Sequence, residues 1–152
     1  MIDGEFEEES KDGRSGSGAD VRPLARSWRD ASAGEDSKAA SVREILFVEL
    51  LGGLGDVLIS LQAIQALARS YPEARLTVLT FSPGGELLEG DPLIHEVVHA
   101  PRPDSTRPHR GREAVEELLA RGGWDLVVSD TSYKGIDALI RGCGAAHTVT
   151  NM

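Results

Sequence analysis

From residue 41 onward, apolar and polar positions alternate between short apolar runs and amphipathic stretches. Residues 44–51 (EILFVELL) form a nearly continuous apolar run, as a parallel strand does when both faces are covered. Gly52, Gly53, Leu54, Gly55 and Asp56 follow. Val57, Leu58, Leu61, Ile64, Leu67 and Ala68 then recur at helical spacing, which predicts a helix from about Gly55 to Ser70, closed by Tyr71-Pro72. Residues 75–81 (RLTVLTF) are β-branched and apolar and predict a second strand. Ser82-Pro83-Gly84-Gly85 reads as a turn, residues 86–88 as a short helix, and Asp91-Pro92 as a break.

Strand three is predicted at 94–100 and an exposed, mobile loop rich in proline and arginine at 101–112. A helix over 112–121 carries Val115, Leu118 and Leu119 and stops at Gly122-Gly123. Residues 124–130 read as strand four, 135–141 as a helix and 145–150 as the start of strand five. This alternation predicts an α/β fold with a Rossmann-like parallel sheet. No helix covers the last short strand before Asn151-Met152. That predicts a domain over 41–152 that is the first part of a longer, truncated chain.

Residues 1–40 differ in kind. Charges alternate with Gly, Ser and Ala without a sustained apolar period, so this acidic, Gly/Ser-rich tail is predicted to be disordered. Val21, Leu24 and Trp28 have the spacing of one side of a short helix, which would suit a docking peptide. An upstream extension without a role is the simpler account.

Charge and composition then narrow the function. The 152 residues have a net charge of -9, which argues against non-specific binding to nucleic acid or an anionic membrane surface, since both need a basic field. Cys143 is the single cysteine; this excludes an internal disulfide and a thiolate metal cluster. No apolar run is long enough for a transmembrane helix and no secretory signal is visible, so the default location is cytoplasmic.

Ligands of open α/β sheets bind outside the carboxyl ends of strands, which puts the turn from Gly52 to Asp56 first among candidate sites. Glycines there let a ligand approach the backbone, and the first amides of the helix favour an anion. A dinucleotide fingerprint is disfavoured because Leu58 stands where its third glycine or alanine belongs and Thr80-Phe81-Ser82 lacks the ribose-binding acid. The absence of Gly-Lys-Ser/Thr excludes a P-loop. Asp56 in the first helical turn either complements the helix dipole or serves as a general base. His95 and His99 lie two strand repeats apart, too far to share a metal without a third ligand. His109 among Arg107, Arg110 and Arg112 reads as part of a solvated loop in preference to an anion site. Cys143 reads as a small buried residue.

The run from Ile45 to Ala68, with Leu54-Gly55-Asp56-Val57-Leu58 and Tyr71-Pro72 after it, resembles the N-terminal domain of glycosyltransferase family 9, the ADP-heptose:lipopolysaccharide heptosyltransferases and their relatives. Ala74 to Thr80, Leu87 to Pro92, Ile94 to Val98 and Trp124 to Val128 extend the resemblance in family order over about 42–149. It implies one N-terminal half of a GT-B architecture, the acceptor-binding domain, with the donor-binding C-terminal domain absent. It further implies Asp56 as the base that deprotonates an acceptor hydroxyl for inverting attack, a nucleotide-sugar donor as substrate, and no metal or other cofactor.

The partner so implied is a small-molecule or glycan acceptor, with peripheral membrane association if that acceptor is lipid-linked. Gly52, Gly53 and Gly55 would shape the crevice, and Asp130, Thr131 and Lys134 would contact the acceptor. The chain departs from the family pattern at Glu49-Leu50, where a basic residue is common, at Gln62, and over 129–135, where Lys134 takes the place of an arginine. The 152-residue chain is expected to be inactive alone. The alternatives are a non-catalytic Rossmann-like binding or interaction module and, more remotely, a nucleotide-dependent oxidoreductase.

Overall fold

A computed structural model describes residues 42–150 except 107 and 132. The expectations for the tail over 1–40, including a helix through Val21, Leu24 and Trp28, lie outside the described residues.

Five parallel strands form one sheet in the order β3-β2-β1-β4-β5. They are β1 (Glu44–Glu49), β2 (Arg75–Phe81), β3 (Glu96–Ala100), β4 (Leu126–Asp130) and β5 (His147–Thr150). The helices are α1 (Leu54–Ser70), α2 (Arg110–Arg121) and α3 (Ile136–Arg141), and a 3-10 turn occupies Gly84–Leu87. The sheet is the expected Rossmann-like one, with element ends shifted by a few residues. β1 is the central strand: Phe47 pairs with Val78 of β2 on one side and with Val128 of β4 on the other.

Period-two alternation along β1 divides the core. Ile45 and Phe47 face α1 with Val57, Ile64, Ala68, Leu76, Val78 and Leu88. Leu46, Val48 and Leu50 face the other way, toward Val115 and Leu118 of α2 and Ile136 and Ile140 of α3. Each fully buried aliphatic side chain contributes roughly 1.5–3 kcal/mol.

Leu58 departs from the expected helical stripe. The buried positions of α1 are Val57, Ser60, Ile64 and Ala68; Leu58 lies about 100° round the helix from Val57 and is 53% exposed. The 3-10 turn packs closely on α1, since a Cβ at Gly84 would lie 2.5 Å from Val57 Cγ2.

At the amino end of the sheet, one Asp125 carboxylate oxygen accepts hydrogen bonds from the amides of Arg43 (2.8 Å) and Glu44 (3.0 Å). This ties the start of β1 to the start of β4, 82 residues apart. Asp91, between β2 and β3, accepts from the Leu93 amide and the Gln65 side chain, each at 2.9 Å. Those bonds hold its carboxyl below the usual range. No helix among the described residues is long and apolar enough to cross a membrane.

Candidate functional site

The chain passes from β1 to β2 and β3 on one side, and α2 then carries it back to β4 and β5 on the other. The segments leaving β1 and β4 therefore diverge, one into α1 on the first face and one into α3 on the second. The carboxyl ends of adjacent, oppositely wound strands leave a crevice between them, the ligand position of doubly wound sheets. Here its walls are the turn from Leu50 to Asp56 and, after β4, Asp130, Thr131 and residues 133–135.

The turn is built from backbone constraints. Gly52 sits at φ +143, a conformation L side chains rarely adopt. Gly53, in extended conformation, is the N-cap of α1, so Gly55 lies inside the helix and not at its cap. The Gly53 amide donates to Asp56 Oδ2 at 2.7 Å. This is the acidic half of a capping box, with glycine having no side chain to complete the other half. The anion at this helix N-terminus is thus the chain's own Asp56, half-buried and held toward the turn.

Two further carboxylates accompany it. Glu49 and Asp130 are register partners across β1 and β4, and both point to the α1 face by strand parity. Asp130 accepts from the Ser60 hydroxyl of α1 at 3.0 Å. Glu49 is 1% exposed and accepts from the Thr80 hydroxyl (2.5 Å) and the Leu51 amide (3.1 Å). Burial raises its carboxyl above the ordinary range. The bonds from Thr80 and Leu51 oppose that shift, and the charges of Asp56 and Asp130 reinforce it.

Glu49 was not among the residues picked from sequence. Its signal was there: it shares parity with Ile45 and Phe47, so an acid was due to fall under α1 at the end of a covered strand.

The other expected site residues fare differently. Thr131 is buried and its hydroxyl donates to the Leu50 carbonyl (3.4 Å) and accepts from the Tyr133 amide (3.2 Å), so it joins the two walls of the crevice. Lys134 is exposed beside Gly135, which takes a left-handed conformation at φ 87. Asp56, Asp130 and the glycine turn are brought together around Glu49, while Lys134 is an exposed residue after β4.

The loop before α2 is exposed, as expected, yet tied at its start. Arg102 Nε donates to the Ser82 carbonyl at 2.9 Å and Nη2 to the Gly52 carbonyl, with the guanidinium 5.3 Å from the centroid of the Phe81 ring. Arg110 and Arg112, expected in the loop or at its end, instead belong to the first turn of α2, where Arg110 pairs with Asp104 at 3.4 Å and Arg112 with Glu116 at 2.8 Å. His109 is the exposed N-cap of that helix, and Arg107 lies outside the described residues. His95 precedes β3, and His99 within it pairs with Glu89 at 2.8 Å. Cys143 is half-buried against the core. Among the described residues no three His, Cys, Asp or Glu are placed to hold a metal ion together.

A recess of about 520 Å³ lies far from this crevice, between the end of α1 and the start of β2, lined by Ala68, Arg69, Pro72, Arg75 and His95 among others. It opens at the amino ends of the strands and lacks the cluster of carboxylates and hydroxyls, so the carboxyl-end crevice is the better candidate.

No family model matches the sequence, and no curated protein matches it. Among solved structures, the chain is similar to a glycosyl transferase family 9 structure from Veillonella parvula DSM 2008, at 20% identity and a TM-score of 0.58. The match covers 72% of this chain and 32% of that one, so the chain spans about a third of its length. The fold is that of a family 9 glycosyltransferase-like Rossmann domain.

Proposed function

We propose that this chain is the acceptor-binding half of an inverting, family 9-like glycosyltransferase of GT-B architecture. The observation that carries the proposal is the position of Asp56: first turn of α1, at the switch point of the sheet, in a fold shared with a family 9 enzyme. In this role one Asp56 oxygen is occupied by the Gly53 amide, and the other takes the proton of an acceptor hydroxyl as the hydroxyl oxygen attacks the anomeric carbon from the face opposite the leaving group. The bond from that carbon to the donor's diphosphate oxygen breaks, and the nucleoside diphosphate departs with the electron pair. Gly52, Gly53 and Gly55 leave room at the turn, while Asp130 and Lys134 line the opposite wall. Thr131 acts by holding that wall to Leu50. The acceptor is a glycan or small polyol, and the nucleotide-sugar donor binds a second domain. A cytoplasmic location and a lipid-linked acceptor at the membrane surface are compatible with this role.

Titration of the ¹⁵N-labelled chain with a panel of mono- and oligosaccharides tests it. Amide shifts are expected at Gly52 to Asp56 and Asp130 to Lys134, together with no response to nucleotide sugars. The isolated chain is expected to transfer no sugar. Saccharide shifts confined to the other end of the sheet would overturn the site. Transfer by the isolated chain, abolished by Asp56→Asn, would overturn the assignment as a half enzyme. A thermal shift with NAD or NADP would instead favour an oxidoreductase.

A further inference from the structure

Between Gly52 and Gly53 lies one peptide unit whose two polar ends are both engaged. Its carbonyl accepts from Arg102 Nη2, and its amide donates to Asp56 Oδ2 at 2.7 Å. Carbonyl and amide of one peptide belong to a single rigid plane. Turning that plane breaks both bonds together, so the guanidinium and the carboxylate are coupled through it.

We infer that Arg102 is a positioning residue for Asp56, acting through the Gly52–Gly53 peptide plane. The inference rests on the proposed role of Asp56 as base. Without Arg102 little fixes the plane, because the residues on both sides are glycines and no Cβ restricts rotation about their bonds. Arg102 itself is well braced: Nε donates to Ser82 and the guanidinium lies over Phe81. One side chain from the loop after β3 thereby joins the loops after β1 and β2, and three neighbouring strand ends become one rim.

Electrostatics act in the same direction. A cation on the carbonyl polarises the peptide and strengthens the amide as a donor, which holds Oδ2 of Asp56 to the turn and leaves Oδ1 for an acceptor. Lysine cannot reproduce this arrangement, since it offers a point charge in place of two divergent N–H groups on a planar fork.

Hydrogen exchange at the Gly53 amide in the full chain reads this coupling directly and needs no sugar transfer. In Arg102→Ala the Gly53 amide is expected to exchange about tenfold faster, the equivalent of one net hydrogen bond. Asp56→Ala should produce a similar rise, and Arg102→Lys a smaller one. Amides within β1 and β2 should not change. The Gly53 amide proton shift should also follow the ionisation of Asp56 in the parent chain and lose that response in Arg102→Ala. Arg102→Gln, which keeps a polar side chain at this exposed position, serves if the alanine variant does not fold.

Unchanged Gly53 exchange in Arg102→Ala, alongside a rise in Asp56→Ala, would overturn the inference. So would an equal rise across the whole sheet, which would mean general loosening. Failure of saccharides to bind would count against the transferase proposal while leaving this coupling intact, so the two fail separately.

Discussion

Glu49 is the residue whose environment departs most from what its chemistry prefers. Its carboxyl is raised by burial and by the neighbouring acids, so the folded chain binds a proton there more tightly than the unfolded chain does. Such a group contributes stability that is fully present below the ordinary glutamate range and is lost as pH rises through the folded value. Glu49→Gln is therefore expected to raise the melting temperature at neutral and alkaline pH, with the difference shrinking in acid. A series of thermal melts across pH checks this, and a lower melting temperature at every pH would contradict it. Asp56 and its glycine turn were legible from one stretch of sequence. The pairing of Glu49 with Asp130 was not, because it depends on a strand register set 81 residues away.

Helix α1 shows what periodicity can and cannot resolve. Its existence, its extent and its closing Tyr71-Pro72 followed from the apolar spacing, but Leu58 and Ile64 looked equivalent in that pattern. In the structure Ile64 is fully buried and Leu58 is open to solvent. Ile64→Ala is expected to cost about 2–5 kcal/mol, and Leu58→Lys to stay within about 0.5 kcal/mol, as urea denaturation would measure. Ser60 was equally illegible: a hydroxyl between apolar neighbours reads as neutral until β4 brings Asp130 beneath it. The loop holding Arg102 read as solvent-exposed because its composition is polar, and composition carries no information about one side chain reaching back 50 residues to Gly52.

At the level of the whole molecule, the α/β class and parallel sheet were legible because strands and helices alternate and right-handed crossovers leave few closures. The strand order places β1 between two partners and leaves β3 and β5 at the edges. Native-state hydrogen exchange should therefore be slowest in β1 and β2 and fastest in β5, whose four residues are largely exposed. Uniform exchange across the sheet would contradict that gradient. The central place of β1 also governs when the crevice comes into being. One wall arrives with the first strand and the other only with β4, after some seventy further residues. During synthesis the chain must carry an apolar strand with one unpaired edge over that whole interval. A nascent chain halted after α2 would expose β1 to strand addition from its neighbours. The gap that serves as a ligand crevice in the finished fold is, until β4 docks, the place where the growing chain is most open to misassembly.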